Sequence, residues 1–181
     1  HDTHLETKNA TCVNIVSTQP IHPDRNQGDL MRVVNQEQPF HPIYNYAFIT
    51  DAEEGLILTD VNTLSDGELR NNFLTRALTW NEGGVLTGAR HITVGGRYAY
   101  IATPSGVVIL NMDNPLKPAL VTKIALTDVR ATALQFRYLM VTDAEGLKAI
   151  DVTHPEKPRL VANNVVALKD AQKLYLARSY A

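Results

Sequence analysis

Residues 98–118 read YAYIATPSGVVILNMDNPLKP, and the phrase returns at residues 138–158 as YLMVTDAEGLKAIDVTHPEKP. Each copy starts with Tyr, has a Gly after a short turn, continues with an apolar run and closes with two prolines. A period of forty residues is typical of proteins in which every copy is one supersecondary unit. The repeat therefore indicates an architecture before it indicates any chemistry.

Four strand-like segments can be counted in the copy that contains the first phrase. They are Arg90 to Val94, Tyr98 to Thr103, Val107 to Met112 and Ala119 to Leu126. The first two connections are short and contain Gly, which suits hairpins. The third connection, residues 113–118, contains two prolines that remove backbone donors. Four antiparallel strands in every forty-odd residues predict an all-β fold, a β-propeller with about four blades represented.

The repeat divides the chain into a linker, blades and partial blades. The predicted ranges are a linker at 1–10, a partial blade at 11–37, blades at 38–85, 86–126 and 127–168, and a partial blade at 169–181. The two partial blades either complete one another and close a four-blade ring, or belong to a longer propeller of which this chain is a piece. A partner chain or further residues would then cover the open ends of the array.

An insertion is predicted in the first full blade. Tyr46 opens its copy 52 residues before Tyr98 rather than forty, so about a dozen extra residues are expected within 62–81. A Ser-x-x-Glu capping box at Ser65 predicts a short helix there, because apolar residues follow at helical spacing (Leu69, Phe73 and Ala77).

The composition is that of a globular protein and excludes several classes of function. The 181 residues are 44% hydrophobic and 20% charged, with a formal net charge of −2. Lys and Arg are scattered singly, which argues against nucleic-acid binding. No apolar run approaches the ~18 residues of a membrane span. The single cysteine, Cys12, cannot form an internal disulfide and is expected to pack as a small hydrophobe.

The repeated phrase resembles the LVIVD repeat of secreted and surface-associated bacterial and archaeal propellers. The signature lies at residues 56–61, 107–112 and 147–152, and the resemblance covers roughly residues 38–181. Asn111 and Met112 depart from the Asp-Val ending, while Thr59 and Lys148 interrupt the apolar run. The resemblance implies a binding or scaffold module in the periplasm, at the cell surface or outside the cell. Some such propellers are joined to multihaem cytochrome segments.

The repeated residues are expected to be structural. Asp60 and Asp151 should bond turn amides, because Asp side chains readily close local turns. No catalytic residues can be carried over from the resemblance, and Ser105 and Thr87 lack the strand-to-helix setting of a nucleophile elbow. The leading hypothesis is a non-catalytic module that engages a protein partner or other segments of the same longer chain, with no cofactor.

The alternative hypothesis is an accessory module for redox or metal chemistry. An N-terminal His1 combines an amine with an imidazole, and together with His4 it would suit a copper ion. The other form of this hypothesis is a haem that is held by a partner domain and receives a histidine ligand from this chain. His22, His41 and His154 each precede Pro in loops, where a solvated turn residue is the ordinary interpretation.

Two further residues are candidates for contacts. His91 begins an inner strand, where propellers line their central channel, so it is a candidate channel site. Trp80, in the predicted insertion, is either an anchor onto the propeller or an exposed contact for a partner.

Overall fold

The computed structural model describes residues 4–16, 41–64, 67–68 and 70–177. These residues form twelve β-strands and three short 3₁₀ turns. No helix among them is long and apolar enough to cross a membrane. The predicted all-β class is confirmed.

The strands form three antiparallel sheets of four, each in chain order. The strands of the first sheet are β1 (Ala10–Ile15), β2 (Tyr46–Asp51), β3 (Gly55–Asp60) and β4 (Thr75–Trp80). Those of the second are β5 (His91–Gly95), β6 (Tyr98–Thr103), β7 (Gly106–Asn111) and β8 (Ala119–Ala125). Those of the third are β9 (Ala131–Gln135), β10 (Tyr138–Thr142), β11 (Gly146–Asp151) and β12 (Arg159–Ala167). Each sheet has the strand arrangement of a propeller blade.

The first strand differs from the predicted grouping. The prediction placed it in a separate partial blade at 11–37, whereas β1 pairs with β2 and is the first strand of the first sheet. Its register matches that of β5. Cys12 lies opposite Thr50, and His91 lies opposite Ala102, the residue that corresponds to Thr50 in the repeat. The long connection between β1 and β2 hid this pairing from the sequence pattern. The predicted second strand of that partial blade, Leu30 to Asn35, lies outside the described residues.

The predicted insertion also differs, because residues 62–81 contain the fourth strand of the first blade. Ala77, expected on a helix, lies in β4 opposite the β3 strand. The alternation of Leu78 and Trp80 with polar neighbours suits a half-buried strand, and pairing with β3 outweighs the weak helical spacing. The extra length lies in two connections of the first sheet. Residues 61–74 join β3 to β4, where the second sheet has only 112–118 between β7 and β8. Residues 81–90 lead from β4 to β5, where the second sheet has only 126–130 between β8 and β9.

Two apolar cores hold the three sheets together. In the first core, Phe48, Leu56 and Leu58 of the first sheet meet Ile101, Val108 and Leu110 of the second. In the second core, Tyr100, Val107 and Ile109 meet Leu139, Val141 and Ile150 of the third sheet. Because side chains alternate along a strand, β6 and β7 supply both cores. Burying each such side chain stabilises the fold by about 1.5–3 kcal/mol.

A repeated side-chain bond closes the turn after the third strand of each sheet. The Oδ1 atoms of Asp60 and Asp151 accept the amides two residues later, at 2.8 and 2.9 Å. The predicted turn role of these residues is thus confirmed. Asn111 makes the same bond to the Asp113 amide at 2.8 Å. The departure from Asp at this position therefore preserves the acceptor that the turn needs.

Candidate functional site

The first strands of the three sheets lie side by side, with β5 between β1 and β9. Side-chain bonds connect them at their starts. Thr11 Oγ1 donates to the Ala89 carbonyl at 2.9 Å, and Thr93 Oγ1 donates to the Thr132 carbonyl at 2.8 Å. The sheets therefore fan outward from a line of inner strands that are tied to each other.

His91 lies on this inner line, as predicted from its place at the start of a strand. Its Nδ1 accepts the Thr132 amide at 3.3 Å and lies 3.2 Å from the Thr132 hydroxyl. Because an amide can only donate, Nδ1 is unprotonated and the ring proton is on Nε2. Burial, and secondarily the charge of Lys173, lowers the pKa of His91, so the neutral ring is favoured. In this geometry His91 bridges two sheets, and its use as a channel site stays a prediction.

A chain of ion pairs connects the starts of successive blades. Asp128 binds Arg90, the residue before β5, and also Arg130, whose Nη2 is 2.9 Å away. Arg130 in turn reaches Asp170 at 2.8 Å. Bonds from Arg90 and then Arg130 lower the pKa of Asp128. Sequence reasoning gave these residues no site role, although their recurrence (Arg90 with Arg130, Asp128 with Asp170) was the signal that could have found them.

A buried charged cluster replaces apolar packing in the third sheet. Lys148 occupies the position of Ile57 and Val108, and its side chain is only 8% exposed. Its Nζ lies 2.5 Å from Asp143 and 2.7 Å from Glu145. Burial lowers the pKa of Lys148, but the bonds from the two carboxylates outweigh it, so the net shift is upward. Asp143 Oδ1 also accepts the Glu145 amide, so this cluster supports the hairpin tip.

The other predicted residues are spread over the molecule. Trp80 ends β4, is half-buried and packs against the first core, which is the anchor position rather than an exposed contact. Cys12 is half-buried against the same core. His4 is exposed, while His1 and His22 lie outside the described residues.

The remaining loop histidines have local partners. His41 Nδ1 accepts the Ile43 amide at 3.1 Å, and His154 Nδ1 lies 3.5 Å from Glu156. In the described part of the chain, no three His, Cys, Asp or Glu side chains are grouped so that they could hold a metal ion. Copper at His1 and His4, and a haem held by a partner, stay predictions.

An apolar surface that the predictions did not include lies on the outer face of the first sheet. Val13 and Ile15 of β1 are 62% and 60% exposed and lie opposite Ile49 and Ala47 of β2. Leu5 joins Val13 and Ile49 in lining a groove of about 340 Å³. We call the exposed and partly exposed members of this set (Leu5, Val13, Ile15 and Ile49) the outer apolar surface; Ala47 beneath them is buried. The position of β1 in the first sheet creates this surface, so it follows from the pairing that the sequence did not reveal.

Residues 6–9, expected as part of a linker, run along the edge of this sheet. Asn9 donates its amide to Asp51 at 2.6 Å, and Lys8 donates its amide to Glu54 at 3.1 Å. Arg76 pairs with Glu54 at 2.8 Å and donates to the Glu6 carbonyl at 2.5 Å. Burial would raise the pKa of Asp51, but the surrounding amides and Arg76 lower it. The segment is therefore bonded to the blade that it precedes.

Comparison with known protein families matches the LVIVD repeat at residues 44–75 and 88–125. The chain therefore contains two LVIVD repeats. The first match runs from just before β2 to the start of β4, and the second covers the whole second sheet. The third sheet lies outside both matches but has the same strand order and the same phrase in its sequence. No curated protein matches the chain.

Proposed function

We propose that this chain is a non-catalytic propeller module of an exported or cell-surface protein, and that it binds and organises a protein partner. The outer apolar surface is the observation that carries the proposal. Exposed apolar groups grouped on one face mark interaction sites more often than isolated ones do. Val13 and Ile15 are neighbours on one face of β1, and each is more than half exposed.

The repeat indicates what kind of partner fits this surface. Ala47, Ile49 and Ile57 correspond in the phrase to Ala99, Ile101 and Val108 of the second sheet. In the second sheet, a neighbouring sheet covers that face with large apolar side chains. In the first sheet, Ala47 and Ile57 are already buried, and the apolar side chains left uncovered on that face are Val13, Ile15 and part of Ile49. By analogy with the second sheet, these side chains suit a β-sheet face that carries similar apolar groups. A partner that presents such a sheet is the occupant we propose.

The polar residues that recur between copies support a scaffold role. Asp60, Asn111 and Asp151 close turns, and Arg90, Asp128 and Arg130 connect blades. Each of these polar groups is used within the fold, which leaves surface positions that differ between copies for binding. Export to the periplasm or cell surface rests on the resemblance to secreted LVIVD propellers, and fractionation of the source cells tests it.

Site-specific photo-crosslinking in the source cells tests the binding function. A benzoylphenylalanine probe at position 13 should yield one protein adduct, with the crosslinked peptide in a β-strand of the partner. The control probe at Lys123, an exposed residue of β8, should not yield that adduct. Val13→Asp should remove the complex without unfolding the chain, since this side chain is mostly exposed. The same products from both probes, no adduct at position 13, or an adduct of two copies of this chain would contradict the proposal.

A further inference from the structure

The turn between β9 and β10 contains a residue that its backbone disfavours. Phe136 is the first of the two turn residues and has a φ of 54°. In the second sheet, Gly96 occupies the corresponding position with a φ of 57°. A bulky side chain is strained in this left-handed region, and a two-residue turn of this kind ordinarily has Gly there.

The ring of Phe136 gains nothing from packing that would offset this strain. It is 93% exposed, more than any other large hydrophobic residue in the described part of the chain. The corresponding turn of the second sheet, between β5 and β6, shows that Gly at this position closes an equivalent hairpin. Strained residues persist where function requires them, so the combination of strain and exposure indicates a role outside the fold.

The residue after Phe136 is held firmly. Arg137 stacks its guanidinium over the Tyr138 ring, 4.9 Å from the centroid, and donates to the Tyr138 hydroxyl at 2.7 Å. The Arg137 carbonyl accepts the Val152 amide at 2.8 Å, which ties the turn to the β11–β12 connection. The phenyl ring therefore projects from a rigid base, and little conformational entropy is lost when it is bound.

We propose that Phe136 is an anchor residue for the protein partner, and that its ring enters an apolar pocket with acidic groups at the rim. This inference rests on the proposed function and names a second contact of the same module. Aromatic residues and Arg are the side chains that dominate binding energy at protein interfaces. Arg137 lies beside the ring, and its Nε is 3.9 Å from the Asp151 carboxylate. Because this ion pair is long, the Arg137 guanidinium can also bind a carboxylate of the partner.

The charges around the turn favour a protein over an anionic membrane. The turn and the adjoining strand and connection carry three cations (Arg137, Lys157 and Arg159) and two carboxylates (Asp151 and Glu156). These charges nearly cancel, so an anionic lipid surface would attract the turn only weakly, and one ring is a weak membrane anchor. Mixed charges around a single apolar residue suit a pocket with a polar rim.

The first experiment places a benzoylphenylalanine probe at position 136, where it preserves the aromatic ring, and a control probe at Tyr175, which is 81% exposed. We expect the probe at 136 to capture the protein that the probe at 13 captures, and the control not to. Capture from position 13 alone would overturn the anchor role and leave the proposed function intact. Capture from neither position would overturn both.

The second experiment asks whether the ring serves the isolated fold. Phe136→Gly should raise the melting temperature by about 2 °C, because it relieves strain and removes no buried surface. The same substitution should abolish the adduct formed from position 13 or weaken it at least tenfold. A lower melting temperature would show that the ring stabilises the fold and would overturn the proposal. The proposal would also be overturned if the natural protein bound phosphatidylglycerol vesicles and Phe136→Gly abolished that binding, since the partner would then be a membrane.

Discussion

At the scale of single residues, Lys148 shows how a charged residue is accommodated at a buried position of the repeat. The corresponding residues, Ile57 and Val108, are buried apolar side chains. Lys148 is nearly as buried, and Asp143 stands where the second sheet has Thr103. A buried cation needs a partner, because desolvation of an unpaired charge costs several kcal/mol. Lys148 therefore needs Asp143, whereas Asp51, the corresponding carboxylate of the first sheet, is buried together with Ile57 and no lysine at that position.

We predict that Lys148→Val destabilises the protein by about 3 kcal/mol, because it leaves the Asp143 carboxylate, 1% exposed, without its cation. The double variant Asp143→Thr/Lys148→Val should regain most of that stability, since it restores the residues of the second sheet. Urea denaturation of the three proteins measures the difference. Lys157→Val, at an exposed lysine, is the control and should change stability by less than about 0.5 kcal/mol.

The same ion pair also predicts how stability depends on pH. Because the pKa of Lys148 is raised above its ordinary 10.5, its contribution is present below that pH and is lost as pH rises through the folded pKa. The difference in stability between the natural protein and the double variant should therefore shrink in strongly alkaline solution. A double variant as unstable as the single one would contradict this account.

At the scale of elements, the hairpin between β6 and β7 depends on Gly106. Its φ is 137°, and a Cβ there would lie 1.9 Å from the Ile124 carbonyl oxygen of β8. Gly146 of the third sheet has the same conformation, with the Val166 carbonyl 2.1 Å from its Cβ position. The glycine of the repeated phrase is therefore required by the close approach of the fourth strand.

We predict that Gly106→Ala costs at least about 2–3 kcal/mol, because backbone atoms must move to admit the methyl group. Gly96→Ala is the matched control, since a Cβ there meets nothing within 4 Å. It should cost only about 1 kcal/mol, the penalty of a left-handed residue. Thermal unfolding followed by circular dichroism compares the two. Equal losses would show that the close contact with β8 is unimportant.

Elements near the repeated phrase were predicted well, and those of the first blade less so. The predicted strand at 98–103 has the observed bounds of β6, because Gly-containing turns lie on both sides of it. The strands β1 and β4 were assigned to a partial blade and to an insertion. Their partners lie across long connections, so the pairing that defines them is not local and leaves no periodic signal in the sequence.

At the scale of the whole molecule, the second sheet is covered on both faces and the other two face a described neighbour on one side. All but one residue of β6 and all but one of β7 are buried. Local opening of a strand is most costly where it exposes two cores at once. The three sheets should therefore differ in stability although they share one pattern.

Native-state hydrogen exchange should show this order. We expect amides of β6 and β7 to exchange most slowly, and those of β1 and β12, the edge strands of the outer sheets, to exchange at least about tenfold faster. Mass spectrometry of peptides from the three sheets measures the rates. Uniform protection would mean that the three sheets open together as one cooperative unit.

The all-β class, the four-strand period and the turn-closing role of Asp60 and Asp151 could be predicted from the amino-acid sequence, because each follows from contacts within one copy. Tertiary structure decided which sheet β1 joins, the buried pair of Lys148 and Asp143, the chain of ion pairs through Asp128, and the exposure of Val13 and Phe136. These features depend on neighbours that are distant in the chain or on the surface left uncovered after packing. The candidate binding surfaces belong to this second group, since exposure is a property of the assembled sheets and not of any one segment.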